Sequence, residues 1–280
     1  MDVADRIVDV QDRLPPAERR VAEVVLADPS AVAFGTVAEI AKRGQVSGPS
    51  VVRLANRLGF SGFAEMQDAI RDEIGQRLRP AAERIRERPV HDTVGRTHAS
   101  AVENVAATLD GIDADAYRVA VSLLAARSRA VHVLAGDATY GVAHLLATSL
   151  GMLRPGVGLV SGSDVAVARA VAHMERGDVL VAIDLRRYER WVVDALQVAR
   201  ASGSAVIAIT DSRISPLAEG AAACFVVAAA SPGPFDSHVG TLALADALVA
   251  GVAGRLRRSA TARLDQVEEA WRRSGALLDG

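Results

Sequence analysis

Apolar residues recur along this chain with two different periods, and the change falls near residue 96. Up to residue 80 the spacing is helical. Ile7, Val10 and Leu14 share one face of a first segment. Pro15-Pro16-Ala17-Glu18 opens a second, with Val21, Val24 and Val25 on one side. Asp28-Pro29 closes it, because a residue before proline is pushed out of the α region. Phe63, Met66, Ile70 and Ile74 mark a last helix of this part. After residue 96, helical segments at 99–109 and 113–126 lead into short β-branched runs at 130–136, 157–162, 178–184, 205–211 and 223–227. These runs are almost wholly apolar, as in a parallel sheet covered on both faces. Helical segments at 138–151, 164–174, 188–202 and 216–220 separate them, and two more follow at 238–256 and 260–277. Strand alternating with helix predicts a doubly wound, flavodoxin-like α/β domain with a five-stranded, mainly parallel sheet. The chain therefore divides into a helical domain at 1–80, a polar, Arg-rich linker at 81–96 and an α/β domain at 97–280. The helices exceed what one sheet needs, which suggests a homodimer interface.

Within the helical part, residues 36–60 read TVAEIAKRGQVSGPSVVRLANRLGF. Thr36 suits the N-cap of one short helix, with Val37, Ile40 and Ala41 on its apolar face. Gly44-Gln45 breaks that helix. Ser47 suits the cap of the next, and Pro49 its first turn. Val51, Leu54, Ala55 and Leu58 line the second helix, and Gly59 ends it. Two short helices joined this way form a helix-turn-helix, whose second helix can enter the major groove. Ser47, Ser50, Arg53 and Arg57 are expected outward. No acidic residue lies between Ala41 and Ala64, while Lys42, Arg43, Arg53 and Arg57 are cationic. Such a strip fits a phosphate backbone. It equally fits a helical hairpin with a solvated basic face. On the first reading, Arg53 and Ser50 contact bases, Thr36, Ser47 and Arg57 contact phosphate, and Lys42 adds charge.

The net charge of −2 means that any DNA contact must be local. Lys42 is the sole lysine, and Cys224 is the sole cysteine, in the apolar run ACFVV, so no internal disulfide can form. The N-terminal stretch lacks the apolar core of a signal peptide, and no apolar run is long enough to span a bilayer. A cytoplasmic protein without a membrane partner is expected. The six histidines have no metal-ligand spacing, so no metal is expected.

Open α/β sheets bind ligands at the carboxyl ends of their strands. Those ends carry Gly136, Asp137 and Thr139 after the first strand, Asp184, Arg186, Arg187 and Tyr188 after the third, and Thr210 and Ser215 after the fourth. Helix N–H groups there favour an anion. The GxGxxG dinucleotide fingerprint is absent, so no nicotinamide cofactor is expected, and none of any other kind.

The segments PPAERRVAEVVLADP, TVAEIAK, VSGPSVVRLANRLGFSGFAEMQ and AVIAITDSRISPLAE resemble the RpiR/MurR-type bacterial transcription regulators. In that family a helix-turn-helix domain precedes an SIS (sugar isomerase) domain. The resemblance implies a dimer, or dimer of dimers, that binds a double-stranded DNA operator under the control of a sugar-phosphate-like effector, without catalysis. Three departures stand out. The family's Ala-Gly in the turn is Gly44-Gln45 here, with Gly44 expected to absorb part of the strain and Gln45 expected in an unusual backbone conformation. The GxGxS loop after the first strand is Gly136-Asp137-Ala138-Thr139, preceded by Ala135. The SxSGxT phosphate loop after the third strand is Asp184-Leu185-Arg186-Arg187-Tyr188-Glu189. That last loop is open to two readings. Its arginines rebuild an anion site, or the ligand is lost, Asp184 pairs with an arginine, and Arg187 and Arg190 face solvent. Two rival functions are a sugar-phosphate isomerase or lyase with an accessory DNA domain, and an effector-independent DNA binder.

Overall fold

A computed structural model of the chain describes residues 3–78, 80–87 and 92–277. Two compact units emerge, Met1–Arg88 together with Ser212–Ser215, and Pro89–Asp211 together with Pro216–Gly280.

The first unit is helical: α1 (Val3–Val10), α2 (Pro16–Ala27), α3 (Pro29–Phe34), α4 (Val37–Arg43), α5 (Gly48–Arg57), α6 (Phe63–Leu78) and α7 (Ala81–Glu87). Its core joins Ile7, Val21, Val25, Ile40, Val51, Leu54, Met66 and Ile70, all 2% exposed or less. Burying each large aliphatic chain contributes roughly 1.5–3 kcal/mol. Asp28-Pro29 does more than stop α2. The Asp28 carboxylate accepts from the Ala31 N–H at 2.9 Å, so a further helix, α3, begins there. These hydrogen bonds, with the Arg43 ion pair at 2.7 Å, hold the Asp28 carboxyl below its ordinary value.

Helices α4 and α5 end alike. At α5, Gly59 N–H donates to the Asn56 carbonyl and Phe60 N–H to that of Ala55, while Gly59 adopts φ +89°. At α4, Gln45 N–H donates to Lys42 and Val46 N–H to Ala41. Both are Schellman ends, which need a left-handed residue just past the helix. At α4 that residue is Gln45, with φ +50°. Gly44 does not absorb the strain as expected, since it sits at an ordinary φ −78°, ψ −2°.

The second unit begins with α8 (Thr93–Asp110) and α9 (Ala114–Ala125). Then β1 (Val131–Ala135), α10 (Tyr140–Leu153), β2 (Val157–Val160), α11 (Asp164–Ala172), β3 (Val179–Ile183), α12 (Arg190–Ala201), β4 (Ala205–Thr210) and β5 (Ala223–Val226) follow. Helices α13 (Val239–Arg255) and α14 (Arg257–Ser274) complete it. The sheet runs β2-β1-β3-β4-β5, and every pairing is parallel rather than mainly so. Strand β3 shows why its sequence is wholly apolar. Val179, Val181 and Ile183 face a core with α9, α10 and α13, while Leu180 and Ala182 face α11 and α12. The expected helix at 216–220 is a set of turns. Of the expected linker, 81–87 and 93–96 are helical, and 88–91, with Pro89 and His91, lie outside the described residues, as does Arg79.

Two polar devices hold this unit together. Arg154 is 1% exposed and donates to the carbonyls of Leu124 at 2.7 Å, Ala126 at 3.1 Å, Pro155 at 3.0 Å and Arg129. It therefore satisfies chain ends that converge below β1. On α8, buried Asn104 donates to the Ala230 carbonyl at 2.7 Å and accepts from its N–H at 3.1 Å, and Thr108 accepts from Ala228 at 3.0 Å. These side chains serve the extended chain after β5 as a neighbouring strand would.

Candidate functional site

In the helical unit, α4 and α5 form the helix-turn-helix. Thr36 and Glu39 make a reciprocal capping box: the Thr36 hydroxyl accepts from Glu39 N–H at 3.3 Å, and the Glu39 carboxylate accepts from Thr36 N–H at 2.7 Å. This bonding holds the Glu39 carboxyl below its ordinary value. The Thr36 hydroxyl also donates to Glu39 at 3.0 Å, so the fold already uses it. Lys42 is exposed at the end of α4. Ser47 is the N-cap of α5, yet its hydroxyl bonds that of Ser50 at 3.1 Å instead of a helix N–H.

The outward placement expected of Ser50 does not hold. It lies four residues before Leu54, on the same face, and is 3% exposed. Arg53 donates to its hydroxyl at 2.8 Å. The exposed side of α5 instead presents Pro49, Val52, Arg53, Asn56 and Arg57. The Asn56 amide turns back on the helix end, its NH2 facing the Phe60 and Ser61 carbonyls at 3.2 and 3.3 Å.

The local charge is also smaller than the 41–64 stretch implies. Glu18, with 4% of its side chain exposed, reaches from α2 to α5. It meets Arg57 Nε at 2.6 Å and Arg53 Nε at 3.6 Å, while those arginines remain 45% and 56% exposed. Buried carboxylates need such partners.

In the α/β unit, the loops after β1 and β3 face each other at the carboxyl edge of the sheet. Thr139 is 1% exposed, and its hydroxyl lies 2.9 Å from the Ile183 carbonyl and 3.1 Å from that of Gly136, to which it donates. It supports the loop rather than lining a cavity. Asp184 is also buried, and its carboxylate accepts from the Leu185 and Glu189 N–H groups at 2.9 and 2.8 Å. It pairs with no arginine among the described residues. Burial, reinforced by Glu189 and Asp211 nearby, pushes its pKa up to about 6 against the pull of those hydrogen bonds.

Glu189 occupies the mouth of the β1 loop. Its carboxylate accepts from Asp137 N–H at 2.5 Å and from the Trp191 indole at 2.5 Å. The fit is tight, since a Cβ on Gly136 would meet Glu189 Oε1 at 2.8 Å and Asp184 Oδ1 at 2.7 Å. The backbone N–H expected to greet an anion is thus held by the chain's own carboxylate. Arg186 adopts a left-handed φ of +58°, its N–H donates to Asp211 at 2.9 Å, and its guanidinium pairs with Asp236 at 3.1 Å. Tyr188 donates to Asp211 at 2.8 Å. Arg187 and Arg190 lie toward solvent, the former exposed in the β3 loop and the latter at the start of α12. Thr210 Oγ1, fully buried at the end of β4, has no hydrogen-bond partner among the described residues. Ser215 falls with Ser212–Ser215 in the first unit, where its N–H donates to the Ser212 carbonyl at 3.2 Å.

Residues 1–77 match a helix-turn-helix domain of the rpiR family, and residues 124–251 match an SIS domain. The chain belongs to the RpiR family. It is 27% identical over 261 residues to the HTH-type transcriptional regulator HexR of Pseudomonas aeruginosa, covering 90% of this chain and 89% of that one. It is 26% identical to the bifunctional protein glk of Burkholderia orbicola, of which it spans 40%. The sugar isomerase domain of an RpiR transcription factor from Sphaerobacter thermophilus superposes with a TM-score of 0.59 at 28% identity, over 64% of this chain and 99% of that one. The Vibrio vulnificus NanR protein, solved in complex with ManNAc-6P, superposes over 96% of this chain and 98% of its own, with a TM-score of 0.57. At 21% identity that likeness speaks for the fold alone. This RpiR-family chain is a helix-turn-helix transcriptional regulator with an SIS domain.

The structure thus brings Gly136, Asp137, Thr139, Asp184, Arg186 and Tyr188 together at one edge, but commits most of their polar groups to other parts of the protein, chiefly Glu189, Asp211, Asp236 and nearby backbone. Sequence pattern does not reveal Glu18, Asp211 and Asp236 as partners. Nothing in local spacing marks them, because each partner lies at least 23 residues away.

Proposed function

We propose that the chain binds a double-stranded DNA operator as a homodimer in the cytoplasm, and that an anionic sugar derivative at the carboxyl edge of the sheet controls its affinity. The observation that carries this reading is the exposed α5 face, with Arg53 and Arg57 at its surface on a capped helix-turn-helix. Paired recognition helices would read half-sites about one helical turn, ~34 Å, apart. A ligand that prefers one arrangement of the two helices shifts that population, worth typically ~1–3 kcal/mol of coupling.

At the sheet edge, half-buried Asp211 is an acceptor suited to sugar hydroxyls, and exposed Arg187 suits the anionic group. The ManNAc-6P complex of the Vibrio protein makes phosphosugars the first ligands to try. Turnover is not part of this reading. Both Glu189 oxygens and both Asp184 oxygens accept hydrogen bonds from the protein, so neither carboxylate is presented as a general base. The test selects duplexes from a random pool with the purified chain, then screens phosphosugars and sugar acids by thermal shift. An enriched site whose affinity changes with a stabilising ligand is the expected result. No enrichment over random DNA overturns the operator. An enriched site unmoved by every stabilising ligand overturns the control.

A further inference from the structure

We propose that Glu18 is the positioning residue of the DNA-reading face, fixing Arg53 and Arg57 and cancelling part of their charge. On this basis α5 gives up general phosphate affinity for sequence discrimination. The inference rests on the operator-binding reading above.

Glu18 is a carboxylate that the fold has buried on α2, unlike the exposed acids of the surface. One oxygen takes Arg57 Nε at 2.6 Å, and the other stands 3.6 Å from Arg53 Nε. Arg53 is tied a second time, by its donation to Ser50 at 2.8 Å, and Ser50 in turn bonds Ser47 at 3.1 Å. The result is a line of contacts, Ser47–Ser50–Arg53–Glu18–Arg57, that links the N-cap of α5 to its last turn by way of α2. A guanidinium held on one side loses little freedom when it meets a guanine edge, where bidentate geometry sets specificity. A guanidinium paired to a buried carboxylate also presents less net charge to phosphate, the term that drives non-specific binding. Both consequences act in the same direction, away from promiscuous binding and toward recognition.

The test measures binding of a random-sequence duplex pool across a salt series, together with enrichment of selected sites, for the full-length wild-type chain and variants. Thermal unfolding is followed in parallel. Glu18→Gln keeps the volume and releases two cations. Its random-DNA affinity should rise, its log K against log salt slope should steepen by about 0.9 for each further phosphate neutralised, and its enrichment should fall. Glu18→Asp keeps the charge but draws it back, so the slope should stay near wild type while enrichment falls. A Glu18→Gln variant that melts like wild type, with unchanged slope and enrichment, overturns the inference while leaving operator binding intact. If the wild-type chain itself enriches no sequence, the operator reading fails instead. Where Glu18→Gln does not fold, the double variant Glu18→Gln/Arg57→Gln decides. It removes a charge with its canceller, so the slope should match wild type. An Arg57 that contacts phosphate independently would lower the slope by about 0.9, which overturns the proposal.

Discussion

Replacing Gln45 by glycine takes a side chain off the left-handed position that ends α4. A non-glycine residue there costs about 1–2 kcal/mol. Glycine returns about 0.4–1 kcal/mol of that through its greater freedom in the unfolded chain. The net stabilisation expected for Gln45→Gly is therefore ~0.5–1 kcal/mol. Gly44 offers the complementary change. Its backbone is ordinary, and a Cβ would meet its nearest neighbours, the carbonyls of Arg20 and Ile40, at 3.5 Å. Gly44→Ala should add ~0.4–1 kcal/mol. The double exchange, which restores the order Ala-Gly, should stabilise the helical unit by about 1–2 kcal/mol, or roughly 4–8 °C per kcal/mol for a unit of this size. Thermal unfolding by circular dichroism reads the total, and hydrogen exchange of the α4 and α5 amides localises it. Gly59→Ala is the opposing control, since φ +89° makes it lose stability. A Gln45→Gly chain less stable than wild type, or a neutral Gly59→Ala, would refute the reasoning.

Asp184 makes stability depend on pH. Its folded pKa is raised from 3.8 to about 6, so its contribution is fully present below about 3.8 and lost as pH rises through about 6, spanning no more than about 3 kcal/mol. Asp184→Asn should flatten that part of a pH series of denaturant midpoints. Asn104→Ala takes both partners from the Ala230 backbone and should cost about 2 kcal/mol in urea unfolding. Arg154→Met strands several carbonyls and should cost at least ~3 kcal/mol by the same measure. Arg53→Ala should weaken a selected operator by roughly 1–3 kcal/mol in fluorescence anisotropy and relax its sequence preference.

The helix-turn-helix and the sheet are legible in the sequence because both rest on apolar patterning: Ile40, Val51 and Leu54 are buried as their helical spacing implies, and the unbroken apolar run of β3 is covered on both faces. Ser50 is a different case: the signal is present, since a residue four before Leu54 shares its face, but a hydroxyl beside cations reads as a surface group. The turn strain falls one residue later than the glycine suggests, because a Schellman end places its left-handed position after the cap. The sheet edge is legible as a place but not as an arrangement. Which carboxylate takes Asp137 N–H depends on how the β3 loop folds back, and Glu189 reaches it through geometry that no pattern encodes.

The bonds from Asn104 and Thr108 to the chain beyond β5 bear on how the protein can be cut. The SIS match begins at residue 124, after α8 and most of α9. A fragment started there would leave Ala228 and Ala230 without the side chains that pair their backbone, and would bare the α13 surface that α8 covers. A fragment meant to fold alone should begin ahead of Asp92, whose carboxylate caps α8 by accepting from Gly95 N–H at 3.1 Å. The sequence family ends its domain where its similarity fades, and the physical domain ends where its last backbone group finds a partner.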